Sequence, residues 1–452
     1  MKIQANLDYS TILRNQGRPV HLELRLQAGK ASEEGTRPPM AFCAVLDRSG
    51  SMAGLPLRHA KLACETVVRN LRPTDEFALV VFDNKAEVIV PLQKITDRQS
   101  ILDRIRAIDD GGSTNLTGGW MLGRDELAKS DLSSTRRILL LSDGQLNHGI
   151  IEPEAVARIV SDGLERARIR TATLGFGPDY DESLLESLAT ASGGNFYDAN
   201  SPDKLSPIFE AELDGLQKIA AQNVRVRVAK RTFCENWVLF ASYHSVALPD
   251  GRVEISLGDL TSEESATAVF LLDVLPLPLL ADGTPAASLD GEELLELEIL
   301  WDDLTGEEIK SCVHQQTIRI LGTQDPADVR LNEDVIPGIA TQRAGKAVED
   351  AVKAVEDGRI NESIEGLSAA LDQLKNLGNV PKAADAIASV EKLLAQIQDE
   401  GGLDSSSRKR ARYRSSHARK MKSHSCWTID EAAPDYSEKK ITPPTAPGDE
   451  QK

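Results

Sequence analysis

The stretch Met-Ala-Phe-Cys-Ala-Val-Leu-Asp-Arg-Ser-Gly-Ser-Met, residues 40–52, decides the fold. From Met40 to Leu46 it is apolar without alternation, and it stops at Asp47. Such a run reads as a strand buried on both faces, as in a parallel sheet covered by helices. The polar turn that follows carries Asp47, Ser49 and Ser51, with Gly50 letting the backbone turn tightly between the two serines.

Working outward, strands and helices alternate. Ala60, Ala63, Cys64, Val67, Val68 and Leu71 recur at helical spacing. Residues 77–82 and 88–90 read as strands, and Ile101, Leu102, Ile105 and Ile108 mark a helix. An apolar strand at 137–141 ends in Ser142-Asp143-Gly144. Helices are expected at 152–167, 181–189 and 202–216, with strands at 170–174 and 194–197. The pattern predicts a doubly wound, Rossmann-like α/β domain over residues 38–220.

Three loops of this domain carry chemistry. One holds Asp47, Ser49 and Ser51; the second is Gly111-Gly112-Ser113-Thr114; the third is Ser142-Asp143-Gly144. In a doubly wound sheet, loops at the carboxyl ends of adjacent strands converge on one crevice. Together they offer carboxylates and hydroxyls only, a donor set that selects hard cations and suits octahedral Mg²⁺. Alone, Asp-x-Ser-x-Ser is usually a turn or cap, because these side chains bond nearby backbone N–H groups. Thr114 and Asp143, each in the right context, turn the reading toward a metal site. Thr117 is the alternative to Thr114, and His148 reads as an exposed histidine on the rim.

Asp-x-Ser-x-Ser, a distal Thr and a distal Asp after an apolar strand resemble the metal-ion-dependent adhesion site of von Willebrand factor A domains. The matching positions are Asp47, Ser49, Ser51, Thr114 and Asp143. The resemblance implies direct ligation of Mg²⁺ by Ser49 and Ser51, with Mn²⁺ or Ca²⁺ as alternatives. It implies that Thr114 ligates directly or through water, and that Asp47 and Asp143 act largely through water. It further implies that a partner protein supplies an Asp or Glu to the metal, and that the closing helix at 202–216 shifts when it does. The wider layout resembles a bacterial family in which an A domain is followed by a β-sandwich with a strand–Gly-Asp-Leu element, here Gly258-Asp259-Leu260, and then by a helical region. The label of calcium-activated chloride channel regulator often given to that family is not carried over.

After residue 220 the pattern changes to strands separated by turns, at 224–228, 237–242, 252–257, 266–275, 294–300 and 312–321. These predict an all-β sandwich over 221–322. The alternating strand at 18–27, in an N-terminal segment of residues 1–37, is expected to join it. Residues 326–400 read as a helical hairpin or three-helix bundle more than as a tetratricopeptide unit, with Asn361 as a cap and Gly358, Gly378 and Gly401 as stops. Residues 401–452 read as a disordered tail. It holds a basic run from Arg408 to Lys422, which is a solvated charge run unless it docks on the chain's own acidic surface, an anionic partner or RNA. Ser405–Ser407, Ser415, Ser416, Ser423 and Ser425 are candidate kinase sites.

The net charge of −18 disfavours nucleic acid as a partner. The cysteines, Cys43, Cys64, Cys234, Cys312 and Cys426, have no CxxC spacing and read as reduced thiols. The first residues lack the apolar segment of a signal peptide, and no run is long enough to span a membrane, so a cytoplasmic protein is expected. The nucleophile elbow, P-loop, HExxH and the paired aspartates of haloacid dehalogenases are all missing from the sequence. The expectation is therefore a metal-dependent protein–protein interaction module or scaffold and not an enzyme. Two other readings are an adaptor for a separate AAA+ ATPase, and a signalling scaffold acted on by a kinase or a phosphopeptide-binding protein. A Mg²⁺-dependent hydrolase is the enzymatic alternative.

Overall fold

The computed structural model describes residues 1–31, 39–131, 135–143, 150, 152–177, 180–199, 201–279, 291–306, 309–377 and 383–421. The chain opens on β1 (Lys2–Leu7), β2 (Thr11–Leu13) and β3 (Arg18–Gln27). It then builds an α/β unit from β4 (Met40–Asp47), α1 (Leu55–Asn70), β5 (Glu76–Phe82), β6 (Ala86–Lys94), α2 (Arg98–Arg106) and α3 (Leu116–Leu127). The unit continues through β7 (Thr135–Ser142), α4 (Pro153–Ala167), β8 (Ile169–Phe176), α5 (Glu182–Ala191), β9 (Phe196–Ala199) and α6 (Leu205–Gln217). A run of strands follows: β10 (Ile219–Lys230), β11 (Cys234–Leu239), β12 (His244–Ala247), β13 (Val253–Thr261), β14 (Ser265–Val274), β15 (Glu292–Asp303) and β16 (Lys310–Thr323). Helices α7 (Ile336–Glu356), α8 (Ile360–Asn376), α9 (Ala384–Glu400) and α10 (Ser405–Lys420) complete it.

The α/β sheet has the order β6-β5-β4-β7-β8-β9, parallel except for β6 at the edge. The strand that opened the sequence reading sits at its centre and is buried throughout. Phe42, Ala44 and Leu46 face a core shared with α1, α2 and α6, while Ala41, Cys43 and Val45 face the core of α3, α4 and α5. With both faces covered, neither set of side chains can be polar, which is why the run does not alternate.

Helix α3 has no counterpart in the sequence reading. Gly118, Gly119 and Gly123 depress its helical propensity. The packing explains two of them: a Cβ on Gly119 would meet the Phe82 ring at 2.6 Å, and one on Gly123 would meet Val45 at 2.7 Å. The glycines let the helix lie directly on the strands.

Two sheets, antiparallel except where β2 pairs with β16, enclose a second core. One has the order β1-β3-β14-β11 and the other β12-β13-β10-β15-β16-β2. Alternate residues of β3, Val20, Leu22, Leu24 and Leu26, meet Val224, Val226, Ile255 and Leu297 of the opposite sheet in a single apolar cluster. Strand β3 lies between β1 and β14, outside the parallel sheet. The α/β unit is therefore an insertion between β3 and β10. Its two crossings lie side by side, because Ser262 donates to Lys218 O (2.8 Å) and Glu263 to Gly29 O (3.1 Å).

A buried charge cluster joins the inserted unit to these sheets. Arg137 of β7 meets Glu212 of α6 at 3.3 Å and Asp259 of β13 at 3.4 Å, and Arg170 of β8 meets Asp259 at 3.1 Å. Asp259 also accepts from the Asn223 backbone N–H at 3.0 Å. The Gly-Asp-Leu element thus places its carboxylate in the seam.

The helices α7, α8 and α9 pack around Ala344, Val348, Val352, Leu367, Leu374, Val390, Leu393 and Ile397. Helix α8 begins at Ile360 with Arg359 at its N-cap, so Asn361 lies inside the first turn and is not the cap. Gly358 and Gly401 hold φ of 75° and 70° after α7 and α9, a conformation that favours glycine. Gly378 lies outside the described residues.

The disordered tail expected from residue 401 is corrected over 405–420, which form α10. Asp404 caps the helix by accepting from the Ser407 N–H at 2.6 Å. The bases find acids of the chain itself: Arg408 pairs with Glu182 (2.7 Å) and Glu356 (3.2 Å), Arg412 with Glu186 (3.6 Å) and Glu356, and Arg419 with Glu349. Tyr243 donates its hydroxyl to Lys420 O at 2.5 Å. These partners are distant in sequence, so local periodicity could not reveal the helix. Ser415 and Ser416 are buried, and Ser415 donates to Gly345 O at 2.9 Å, so neither is open to a kinase while α10 is docked. Ser423, Ser425 and Cys426 lie outside the described residues. Among the described residues, no helix is long and apolar enough to cross a membrane.

Candidate metal centre

Strands β4 and β7 are neighbours, and the chain leaves them toward opposite sides of the sheet. Their carboxyl ends therefore frame the crevice where the sheet order reverses. Asp47 ends β4, and Asp143 follows Ser142 at the end of β7. The loop of 111–115 is drawn in by backbone bonds: Gly111 N–H donates to Arg48 O (2.6 Å) and Gly50 N–H to Gly112 O (2.9 Å).

The side chains form one chain of oxygens. Ser49 Oγ lies 3.1 Å from Ser51 Oγ, and Ser51 Oγ donates to Asp143 Oδ1 at 2.8 Å. Asp47 accepts from the Ser49 N–H (2.9 Å) and from the Ser142 hydroxyl (2.8 Å). Asp47, Ser49, Thr114 and Asp143 are buried, whereas Ser51 is exposed. Thr114 immediately precedes Asn115, the cap of α3, which accepts from Gly118 N–H at 3.0 Å. The alternative, Thr117, donates its hydroxyl to Ile150 O at 2.6 Å. His148 lies outside the described residues.

Burial pushes the Asp47 carboxyl above its usual range, against the lowering by its bonds from Ser49 and Ser142, and the nearby Asp83 adds to the rise. The neighbouring Arg48 does not compensate it. Its guanidinium points instead to Asp83 (3.0 Å) and Glu87 (3.2 Å).

The donor set fits a small hard cation. Octahedral Mg²⁺ with ligands at about 2.1 Å has adjacent ligand oxygens roughly 3 Å apart. The two serine hydroxyls, 3.1 Å apart, are spaced as such an edge. Among the described residues no group of three or more His, Cys, Asp or Glu is placed to hold a metal ion.

The sequence reading passed over the braces of this site. Ser142 holds the second oxygen of Asp47, although it stands beside Asp143 in the motif itself. Asp83 directly follows the apolar strand β5, much as Asp47 closes β4, and that parallel was the available signal. Its main chain accepts from Asn115 N–H at 2.8 Å while its carboxylate holds Arg48. Asn84 similarly accepts from the Ser113 N–H at 2.5 Å. The loops after β4, β5 and α2 are thus tied to each other.

A doubly wound sheet with such a crevice defines the class of open α/β domains that bind ligands where the strand order reverses. Residues 43–211 match the von Willebrand factor type A domain, and the chain contains such a domain. It is 28% identical over 227 residues to the protein sll0103 of Synechocystis sp., an alignment covering 49% of this chain and 53% of that one. The chain spans about half the length of its first curated relatives, or less. Its fold is similar to the von Willebrand factor type A structure from Catenulispora acidiphila, with a TM-score of 0.64 at 16% identity over 87% of this chain and 96% of that one. It is also similar to the ArnB paralog VWA2 from Sulfolobus acidocaldarius, with a TM-score of 0.61 at 14% identity over 93% and 98%. Both likenesses extend well beyond the A domain, into the antiparallel sheets and helices.

Proposed function

We propose that the chain is a metal-dependent protein-interaction module, in which Asp47, Ser49, Ser51, Thr114 and Asp143 hold Mg²⁺ or Mn²⁺ and a partner's acidic side chain completes the site. The reading is supported above all by the convergence of hydroxyls and carboxylates at the reversal of the sheet, with the two serine hydroxyls spaced to suit a hard cation. A divalent ion there supplies an electrophilic position for a carboxylate. The protein's own part is to keep that position under-neutralised. Hydroxyls carry no charge, and Asp47 is partly occupied by bonds from Ser49 and Ser142. Exposed Ser51 leaves the approach open from solvent.

Binding without catalysis belongs to the same proposal. Calorimetric titration of Mg²⁺ and Mn²⁺ into chelator-treated protein should give saturable binding that Asp47→Ala abolishes and Thr114→Ala weakens by tenfold or more. Absence of binding in the wild type would overturn the reading. So would phosphatase or protease turnover with Mg²⁺ that disappears in Asp47→Ala.

A further inference from the structure

Exposed aliphatic side chains met singly need no explanation, since much of any folded surface is apolar. On α1 they are aligned. Leu55, 62% exposed, is the most exposed large aliphatic side chain among the described residues, and Leu62 is 45% exposed. At about 100° per residue, Leu55, Arg58, Leu62 and Arg69 fall within an arc of roughly 60° on the helix surface. All four are exposed. Glu65, the acid of α1, is buried and held by Arg69 at 3.1 Å and Arg106 at 2.9 Å. The crest of α1 therefore presents leucines and bases with no exposed acid.

The crest begins at the metal loop. Met52 is buried and anchors the turn, while Ser51, Ala53 and Gly54 are exposed and lead directly into Leu55. Gly54 holds a φ of 82°, and among the described residues a Cβ there would meet nothing within 4 Å, so the turn stands in open solvent. On the α3 side, Ile150 is 42% exposed and is tied to the first turn of that helix by the Thr117 hydroxyl at 2.6 Å, close after Thr114. Exposed aliphatic residues thus border the site from α1 and from α3. A lone carboxylate on a water-exposed cation competes with water, and its attraction is weak at high dielectric. Apolar contacts around the charged pair exclude water and strengthen it. Leu55 and Leu62 gain little from the fold itself, and under a partner they supply such contacts.

We propose that the metal site and the α1 crest form one docking surface for an acidic, apolar segment of a partner protein. One Asp or Glu reaches the metal, aliphatic or aromatic side chains cover Leu55 and Leu62, and a second acid meets Arg58. The proposal rests on the metal-dependent reading above. Charge selects the occupant: the cation and Arg58 both favour acids, while a net charge of −18 disfavours acidic segments over the chain as a whole. Leu55 and Leu62 stand about 10 Å apart along the helix axis, the span of roughly three extended residues, so one short peptide can cover the metal and the crest together.

The test is to pan a random dodecapeptide phage library on the immobilised full chain in Mg²⁺ and to release the bound clones with EDTA. The expected clones carry an Asp or Glu with Leu, Ile, Val or Phe within a few positions. A synthetic peptide of their consensus should bind the wild type only with Mg²⁺. Its affinity should fall by tenfold or more in Leu62→Glu and be kept in Leu62→Met, with the Mg²⁺ affinity and melting temperature of both variants unchanged. Released peptides without apolar residues near the acid, full affinity in Leu62→Glu, or no released clone from a protein that does bind Mg²⁺ would overturn the proposal while leaving the metal reading intact. Peptides that stay bound in EDTA yet are lost in Leu62→Glu would set the crest apart from the metal and overturn the joint surface. A wild type that binds no Mg²⁺ in calorimetry would overturn both readings at once.

Discussion

At the scale of single residues, the metal loops hang on a few close approaches. Gly111 is the tightest: a Cβ there would fall 2.1 Å from Asp83 Oδ2 and 2.9 Å from Asp83 Cβ. Gly111→Ala should therefore push Asp83 away from Arg48 and loosen the joined loops. A loss of about 1–3 kcal/mol is expected, seen as a lower urea midpoint at unchanged slope. Asp83→Asn keeps the side-chain volume and should cost less. The oxygens of Asp47, Ser49, Ser51 and Asp143 were legible in the sequence because each follows a strand within a short motif. The brace between Arg48 and Asp83 was not, because its meaning depends on β4 and β5 being neighbours. Sequence order shows that a residue ends a strand; it does not show which other strand end lies beside it.

At the scale of elements, α10 is where the sequence reading went furthest astray and where titration should tell most. His417 sits on its inner side, with its ring 4.2 Å from that of Tyr413 and Nδ1 2.7 Å from Tyr413 O. Burial lowers it to about 4. The unfolded chain, with an ordinary histidine value near 6.5, then binds more protons than the folded chain between about pH 4 and 6.5. Stability must therefore rise with pH across that window and be lost on acidification. Glu186 on α5 acts in the opposite direction, since burial raises its carboxyl while Arg412 lowers it. Comparison with His417→Gln cancels that contribution. Between pH 6.5 and 4 the wild type should lose up to about 3 kcal/mol relative to the variant, read from urea midpoints. The strands of the α/β unit were legible because an apolar run ending at a polar turn is a local signal. Helix α3 and helix α10 were hidden for different reasons: one packs too closely to tolerate side chains, and the other is held by ion pairs and hydrogen bonds to residues distant in sequence.

At the scale of the whole molecule, the seam at Asp259 holds the A domain against the antiparallel sheets. Burial lowers Arg170, with Asp259 acting against that shift and Arg137 adding to it, so the carboxylate has two close-set guanidiniums to balance. Asp259→Ala leaves Arg170 without its carboxylate and Arg137 with Glu212 alone, a change that typically costs about 3–5 kcal/mol. The expected outcome in calorimetry is a single transition in the wild type and two separated transitions in the variant, the β-sheet unit melting first. One unaltered transition would show that the apolar contacts alone couple the two units. The fold of each unit could be read from its own segment of sequence. Their coupling through Gly258-Asp259-Leu260 could not, because that element marks a seam whose other half, Arg137 and Arg170, lies far earlier in the chain.

The insertion also sets an order of events during synthesis. Strand β3 is made early and has β1 beside it, yet its second partner β14 begins at Ser265. At ribosomal rates of about 5–20 residues per second, the open edge of β3 waits roughly 10–50 s for that partner. In the interval the entire A domain emerges and can close its own sheet, since every strand of that sheet lies between residues 40 and 199. The nascent chain is thus a finished domain preceded by a β1–β3 leader whose apolar face is still uncovered. While translation lasts, that leader, and not the metal loops, is the part of the polypeptide most in need of a chaperone.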